Sequence, residues 1–194
     1  AKQKQKGINR ASMPWVLILD ADERLTSELR TEISLSLENK NHSGFYIPRK
    51  NFFLGRWIRH GGWWPDYTLR LFRKDRSFME EREVHEKVVV RGSTGYLKNP
   101  MEHHTSRSLS DFIKKLENYS TLSAREMGQK DFIPSIFSLI LRPLFTFFKM
   151  FFLRRGFLDG EYGLILSLLY SYYTFSKYTK IWENKIIKGS LLCI

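Results

Sequence analysis

The chain has 194 residues, of which 42% are hydrophobic and 15% aromatic; this composition excludes a disordered protein and allows one domain with a core, with or without an appendage. Its formal charge of +12 predicts an anionic partner: nucleic acid, a phosphorylated substrate or an anionic membrane surface. The single cysteine, Cys193, excludes a disulfide framework and a cysteine-rich metal site, and it favours a reducing, cytoplasmic location.

The first twelve residues carry four basic and no acidic side chains and are expected to form a short helix. This start has no apolar leader segment, so no signal peptide is expected. It also lacks an initiator methionine and resembles the middle of a helix. We therefore expect the chain to be part of a longer protein.

An apolar run over 15–19 predicts a buried strand, and Asp20 and Asp22 follow at its end. Strand interiors do not tolerate unpaired carboxylates, so Asp20 marks the edge of the sheet, where ligands bind in open α/β folds. Asp20 and Asp22 can turn oxygen ligands toward one divalent cation, Mg²⁺ or Mn²⁺. Taken alone, the motif is more typical of a solvated acidic turn before a helix.

Thr26 is a good N-cap and predicts a helix that ends near 39–41. The pattern after it favours short strands, the first of which is expected to stop at Pro48. These strands are predicted at 44–48, 68–73, 84–90 and 95–97. The intervening stretch 51–66 is too aromatic for an idle loop and too rich in glycine for a helix.

From Ser108 the pattern becomes helical, with a capping box at its start and Gly128 at the end of the first helix. We therefore predict an α/β part over 1–107 and a helical region over 108–194. Two apolar stretches in this region are interrupted or too short to span a membrane comfortably, and they predict interfacial helices. Packing against the α/β part is the alternative. The stretches are 132–153 and 162–176, and the cations expected beside lipid phosphates are Arg154, Arg155, Lys177 and Lys180.

Several side chains could carry chemistry. A cation bound by Asp22 would neutralise a pyrophosphate leaving group, and Glu86, at a strand end, could accept a proton from an attacking hydroxyl. His103 could be a further metal ligand or a phosphate donor. Each also has a structural alternative; Glu86, for example, could be a surface partner of Lys87. Three tryptophans offer flat faces for sugar rings or could simply belong to the core: Trp57, Trp63 and Trp64.

Taken together and in order, these segments resemble family 2 glycosyltransferases, and most nearly the bacterial lipopolysaccharide-core glucosyltransferase-like enzymes. The resemblance covers nearly the whole chain. Its motifs are Leu-Ile-Leu-Asp-Ala-Asp-Glu at 17–23, Trp-Pro-Asp at 64–66, Arg-Leu-Phe-Arg at 70–73, Val-His-Glu at 84–86, Glu-His-His-Thr at 102–105 and Arg-Arg-Gly-Phe-Leu-Asp-Gly at 154–160.

The resemblance implies an α/β fold of the GT-A type, in partial form, with a mixed sheet followed by a C-terminal helical region. It implies an inverting, metal-assisted transfer from a nucleotide-sugar donor to a cell-envelope glycan or a lipid-linked acceptor, carried out at the inner face of the cytoplasmic membrane. Asp20, Asp22, Arg70 and Arg73 are expected near the donor diphosphate. The remaining expected roles are the catalytic base for Glu86, with Asp66 as its rival, metal ligation for Asp22 and His103, and acceptor binding for Trp57, Trp63 and Trp64.

One departure from the family pattern is that the nucleotide-binding βα half expected before the Asp-x-Asp strand is missing from this sequence. We therefore expect the chain by itself to bind nucleotide sugar poorly. Two other functions compete. A phosphatase of the Asp-x-Asp type is disfavoured because Arg24 stands where that family carries Thr or Val. A basic membrane-associated binding module without catalysis fits the charge, whereas dispersed basic residues and the lack of a recognisable motif argue against nucleic acid.

Overall fold

A computed structural model describes residues 2–39, 41–80, 87–106, 108–128 and 134–191. The chain divides into two compact units. The first, called the sheet unit, comprises residues 1–57 and 63–105, and the second, called the helical unit, comprises residues 58–62 and 106–194. The short segment 58–62 thus belongs with the helical half, although it lies far before the boundary predicted at 107.

The described part of the sheet unit contains two helices and nine strands. Its helices are α1 (Lys2–Arg10) and α2 (Ser27–Ser36). Its strands are β1 (Trp15–Leu17), β2 (Glu23–Leu25), β3 (Gly44–Phe53), β4 (Arg56–Trp57), β5 (Asp66–Arg73), β6 (Ser77–Glu80), β7 (Lys87–Val90), β8 (Thr94–Tyr96) and β9 (Met101–Ser106).

The main sheet has seven strands in the order β1-β5-β3-β9-β2, with β4 and β8 also paired to β3. The β3–β8 pair is parallel, whereas β1–β5, β3–β5 and β2–β9 are antiparallel. The remaining strands, β6 and β7, form a separate antiparallel pair. The predicted class is confirmed: the fold is mixed α/β with a mixed sheet and C-terminal helices, consistent with a partial GT-A-like fold.

Helix α2 covers one part of the sheet because its apolar stripe matches the apolar positions of β3 and β5. Leu29 is fully buried there, and Thr26 caps the helix as predicted, accepting a hydrogen bond from the Leu29 amide at 3.2 Å. The core cluster around this helix is formed by Leu29, Phe45, Ile47, Leu71, Leu97 and Met101. Leu17 of β1 and Leu25 of β2 also pack against this cluster, so both strands that flank the acidic turn are anchored to it.

Three strand predictions need correction. The run 15–19 forms a strand only over Trp15–Leu17, and this strand is partly exposed because it stands at the end of the strand order. Pro48 does not end β3, because its pairing with Tyr67 is followed by a further pair, Arg49 with Asp66. A proline removes one ladder hydrogen bond, and the neighbouring bonds can hold the strand together. Strands β2 and β9 were not predicted at all, since each is short and charged and forms only by pairing with the other.

The helical unit consists mainly of α3 (Leu109–Gly128), α4 (Ile136–Phe148) and α5 (Glu161–Leu191). The predicted capping box of α3 is present: Ser108 Oγ accepts from the Asp111 amide at 3.1 Å and donates to its carboxylate at 2.6 Å. Helix α5 extends well beyond the predicted 162–176. A π-helical turn (Lys149–Leu153) and a 3₁₀ turn (Gly156–Asp159) lie between α4 and α5.

Helix α4 leaves much of its apolar surface uncovered. Ile136 and Phe137 are 68% and 69% exposed, and the stretch Ile136–Leu153 is only 11% buried. By length and composition this stretch is the one described helix that could cross a membrane. Other exposed apolar side chains on the helix and the turn after it are Ile140, Leu141, Leu144, Phe145, Phe148, Phe152 and Leu153.

Candidate active site

The turn after β1 places two carboxylates on the sheet edge and a third inside it. Asp20 and Glu23 brace this turn reciprocally: the Asp20 amide donates to Glu23 Oε2 at 2.9 Å, and the Glu23 amide donates to the Asp20 carbonyl at 3.0 Å. The Glu23 side chain has no exposed surface, whereas those of Asp20 and Asp22 are 36% and 39% exposed. The acidic turn is therefore built into the sheet and is more than a solvated loop.

Asp20 is held by two cations. Lys4 Nζ lies 2.7 Å from its Oδ1, and Arg70 Nη2 lies 2.6 Å from its Oδ2. Burial raises the pKa of the Asp20 carboxyl, but the hydrogen bonds and charges of Lys4 and Arg70 outweigh burial and hold the pKa at about 2, below its ordinary value of 3.8. Asp20 therefore stays ionised, and both of its oxygens have basic partners.

Glu23 connects two arginines from neighbouring strands. Its Oε1 accepts a short hydrogen bond from Arg70 of β5 and lies 3.7 Å from Arg49 Nη1 of β3. A buried carboxylate is stable only when it is paired, and the two guanidinium groups satisfy that requirement. Glu23 thus places Arg49 and Arg70 side by side behind the acidic turn.

Asp66 and Asn51 continue the chain of contacts along the sheet. Asp66 Oδ2 receives hydrogen bonds from Arg49 Nε at 2.9 Å and from Asn51 Nδ2 at 3.0 Å. The same Asn51 nitrogen donates to the Trp63 carbonyl at 3.0 Å. Because Asp66 Oδ2 already accepts from both side chains, Asp66 is less suited than a free carboxylate to accept a proton from a substrate.

Asn51 also reaches His103, which stands beside Asp22. Asn51 Oδ1 lies 2.6 Å from His103 Nδ1, and His103 Nε2 lies 3.4 Å from Asp22 Oδ2. The backbone supports this pair, since the His104 amide donates to the Asp22 carbonyl at 2.9 Å. One polar network results, formed by Asp20, Asp22, Glu23, Arg49, Asn51, Asp66, Arg70 and His103.

The network fits a divalent cation at one place. Asp22 offers a carboxylate oxygen, a ligand that suits Mg²⁺ and Mn²⁺, and His103 offers an imidazole nitrogen, a ligand of many divalent metals, 3.4 Å from it. The described part of the chain contains no group of three or more His, Cys, Asp or Glu that could hold a metal. Two ligands would leave the rest of the coordination sphere of such a cation to oxygen ligands from outside this network, such as water.

The network contains five of the ten predicted site residues: Asp20, Asp22, Asp66, Arg70 and His103. Arg73 lies outside the polar network, since its guanidinium bonds Asp75 at 3.0 Å through two nitrogens. Glu86 falls outside the described residues, so its predicted role as the base stays a prediction. Trp63 is 7% exposed and packs edge-on against Phe53, so it belongs to the core.

Trp57 and Trp64 are the partly exposed members of the predicted acceptor set, with rings at right angles and centroids 5.6 Å apart. Lys50 lies over the Trp57 ring at 4.6 Å. Three residues of the network were missed by sequence reasoning: Glu23, Arg49 and Asn51. Glu23 stands in the Asp-x-Asp-Glu run and could have been noted there, but nothing in the local sequence marks Arg49 or Asn51.

The glycine-rich segment 58–62 is anchored within the helical unit. The Arg59 and His60 amides donate to the buried Asp159 carboxylate at 3.2 and 2.7 Å, and the Gly61 amide donates to the Arg154 carbonyl at 2.9 Å. A Cβ on Gly62 would lie 2.2 Å from the Arg154 guanidinium. The motif at 154–160 therefore has a structural role, which is to hold this segment.

Comparison with curated proteins relates the chain to glycosyltransferases. It is 27% identical over 197 residues to "Lipopolysaccharide core biosynthesis glycosyltransferase LpsC" of Rhizobium meliloti, covering 97% of this chain and 71% of that protein. It is 26% identical over 184 residues to an uncharacterized glycosyltransferase of Rickettsia conorii, covering 89% of this chain and 65% of that protein. A Rickettsia prowazekii glycosyltransferase is 28% identical, with 86% and 61% covered.

No protein-family model matches the chain. The chain spans less than two thirds of the length of the Rickettsia relatives. Even so, the similarity extends over nearly all of this chain and includes the segments that carry the ordered motifs. The comparisons therefore confirm that this chain resembles glycosyltransferases, the lipopolysaccharide-core enzyme LpsC among them.

Proposed function

We propose that the chain carries the metal- and acceptor-binding part of an inverting family 2 hexosyltransferase. The enzyme moves a sugar from a nucleotide-sugar donor to a cell-envelope glycan or a lipid-linked acceptor. The observation that supports this most strongly is the polar network, in which Asp22 and His103 meet at the sheet edge beside two arginines. The name of the Rhizobium relative supports a lipopolysaccharide-type acceptor.

In this reaction the acceptor hydroxyl oxygen attacks the anomeric carbon of the donor sugar. Its proton passes to a carboxylate base while the bond from the anomeric carbon to the diphosphate oxygen breaks, and the nucleoside diphosphate leaves with the electron pair. Glu86 is proposed as the base, because the rival Asp66 already accepts from Arg49 and Asn51. A positioned base contributes about 10²–10⁴-fold to such a step.

Asp22 and His103 are proposed to hold Mg²⁺ or Mn²⁺, which would neutralise the negative charge of the diphosphate. Arg70 and Arg49 are both fixed behind the same turn by Glu23, and Arg70 is proposed to lie near the donor diphosphate. Asp20 serves to orient Arg70, since Lys4 and Arg70 occupy its two oxygens. Trp57 and Trp64 are proposed to contact the acceptor sugar.

The helical unit is proposed to rest on the cytoplasmic membrane surface through the exposed apolar face of α4. Such a face, flanked by cations, is typical of helices that lie in the interface of an anionic membrane. Arg154 and Arg155 are exposed next to Leu153, which is 61% exposed. Lys180 is no longer a candidate lipid contact, because it bonds Glu117, Ser120 and Thr121 within the unit.

The catalytic proposal is tested in the protein encoded by the complete reading frame that contains these residues. Transfer of radiolabelled sugar from a panel of nucleotide sugars to lipopolysaccharide and lipid fractions is measured with Mn²⁺ present. Asp22→Ala and Glu86→Gln should each reduce transfer by at least about 100-fold. Thr105 lies on the same strand as His103, and Thr105→Val removes only its hydrogen bond to the Phe52 carbonyl. This control variant should retain transfer. Full activity in Asp22→Ala would overturn the proposal.

The membrane proposal is tested by co-sedimentation of the chain with vesicles of phosphatidylglycerol or of phosphatidylcholine across a salt series. Binding should need the anionic lipid and weaken as salt increases. Phe137→Asp should weaken it, whereas Leu35→Asp should not, although the two side chains are equally exposed at 69% and 67%. Leu35 lies on α2 in the sheet unit. Equal effects of the two substitutions would refute a specific role for α4.

A further inference from the structure

Asn51 is the one amide side chain in the polar network, and its orientation is fixed by its neighbours. Its Nδ2 lies 3.0 Å from the Trp63 carbonyl oxygen and 3.0 Å from Asp66 Oδ2. A backbone carbonyl can only accept a hydrogen bond, and so can an ionised carboxylate. Both groups therefore require the NH₂ side of the amide, and the residue itself is only 4% exposed.

The fixed amide leaves Oδ1 facing His103 Nδ1 at 2.6 Å. An amide oxygen can only accept, so His103 Nδ1 must carry the hydrogen. In a neutral imidazole one nitrogen donates and the other accepts, and the hydrogen bond made by one nitrogen determines the state of the other. The contact with Asn51 thus leaves Nε2 as the electron-pair donor of the neutral ring.

This nitrogen lies 3.4 Å from Asp22 Oδ2. Two electron-pair donors that face each other repel, unless a proton or a metal cation lies between or beside them. The same arrangement is what a divalent cation needs from two adjacent ligands. The Asn51 oxygen at Nδ1 and the Asp22 carboxylate beside Nε2 therefore both influence which nitrogen of the His103 ring carries the hydrogen.

We propose that Asn51 is a positioning residue that locks His103 in the Nδ1–H tautomer and so presents Nε2, together with Asp22, to a divalent cation. The amide also links this ring to Asp66 and Arg49, so the cation site and the paired carboxylate share one buried side chain. This inference deepens the proposed function and rests on its assignment of Asp22 and His103 as metal ligands. Outer partners of metal-bound histidines commonly change metal affinity by about 10- to 100-fold.

The test uses the 194-residue chain labelled with ¹⁵N-histidine and free of metal, at a pH where the ring is neutral. Long-range ¹H–¹⁵N correlation spectra report the tautomer of each histidine, and His103→Gln assigns the signal. The wild-type His103 should be in the Nδ1–H form. Asn51→Leu should move it toward the Nε2–H form, which predominates in an unconstrained imidazole. An Nε2–H signal in the wild type would overturn the inference, whether or not any variant folds.

One further variant separates positioning from general damage. Thr105→Val removes a different hydrogen bond between the same two strands, from Thr105 Oγ1 to the Phe52 carbonyl, and should leave the tautomer of His103 unchanged. Mn²⁺ affinity, measured by electron paramagnetic resonance, should fall about 10- to 100-fold in Asn51→Leu and stay within about 3-fold in Thr105→Val. An unchanged tautomer in a folded Asn51→Leu would refute the role of Asn51.

The two proposals can fail separately. If the wild type shows the Nδ1–H tautomer and binds no Mn²⁺, the metal assignment in the proposed function is wrong while the tautomer lock stands. If the chain binds Mn²⁺ through Asp22 and His103 but the tautomer does not depend on residue 51, only the inference about Asn51 is wrong.

Discussion

Glu23 gives the sharpest test of how the site is held together. Its side chain has no exposed surface, accepts from Arg70 and from the Asp20 amide, and lies 3.7 Å from Arg49 Nη1. Glu23→Gln preserves the shape but removes the charge. It also places an NH₂ group where only donors point, so at least one donor loses its acceptor.

The expected change in the free energy of unfolding follows from the ion pairs that remain in the variant. Removing one partner of a buried ion pair costs about 3–5 kcal/mol when the other charge is left uncompensated. Here Arg70 keeps Asp20 and Arg49 keeps Asp66, so the loss should fall below that range, at about 2–3 kcal/mol. Total stabilities are typically about 5–15 kcal/mol, so a change of this size is readily measured.

Urea unfolding at pH 7, followed by tryptophan fluorescence, provides the measurement, because four of the five tryptophans lie in the sheet unit. The matched control is Asp75→Asn, which removes a carboxylate charge within the same unit, from a pair with Arg73 in which the Asp75 side chain is 55% exposed. Exposed pairs of this kind contribute little to stability. If Glu23→Gln changed the unfolding free energy by no more than Asp75→Asn, the assignment of Glu23 as the buried link would be refuted.

Three further outcomes are expected. Gly163→Ala should destabilise the helical unit by about 2 kcal/mol or more, because its Cβ would lie 1.8 Å from the Gly156 carbonyl oxygen. Gly7→Ala has open space around its Cβ and should stabilise α1 by up to about 1 kcal/mol. Thermal unfolding distinguishes the two outcomes. Thr26→Ala should cost about 1 kcal/mol in urea unfolding, since the cap of α2 is lost, and an unchanged midpoint would contradict the capping role. Asp20, whose pKa is lowered to about 2, should stabilise the fold above about pH 4 and lose that contribution as the pH falls toward 2. The full shift corresponds to about 2 kcal/mol, and screening at this partly exposed side chain reduces it to about 1 kcal/mol. In urea unfolding, the stability difference between wild type and Asp20→Asn should therefore shrink as the pH falls from about 4 to about 2.

Elements that depend on contacts between residues close together along the chain could be predicted from the sequence. The cap at Thr26, the capping box at Ser108 and the end of α3 at Gly128 each depend on contacts within one or two helical turns. Strand β2 was beyond local reasoning, because Glu23 becomes part of a strand only through pairing with His103 on β9. The same holds for the continuation of β3 past Pro48, which the pairing with β5 sustains.

The site was partly predictable for the same physical reason. An apolar run that ends in Asp-x-Asp-Glu must leave the sheet interior, so the sequence by itself determined that a carboxylate turn stands at a strand end. The tertiary structure decided the partners of each carboxylate. The neighbouring strands bring Arg70 to Asp20, two arginines to Glu23 and His103 to Asp22, and those pairings join residues up to 81 positions apart.

Asn51 shows most plainly which part of the site could not be predicted from the sequence. In the sequence it is one polar residue before two phenylalanines, and nothing nearby distinguishes it. Its side chain is positioned by three hydrogen-bond partners that the fold brings together: a carbonyl at residue 63, a carboxylate at 66 and an imidazole at 103. The sequence by itself determined the residue types, the local helices and the acidic strand end, because these depend on short-range chemistry. Only the tertiary structure decided the partners, because a hydrogen bond depends on distance in space and not on separation along the chain.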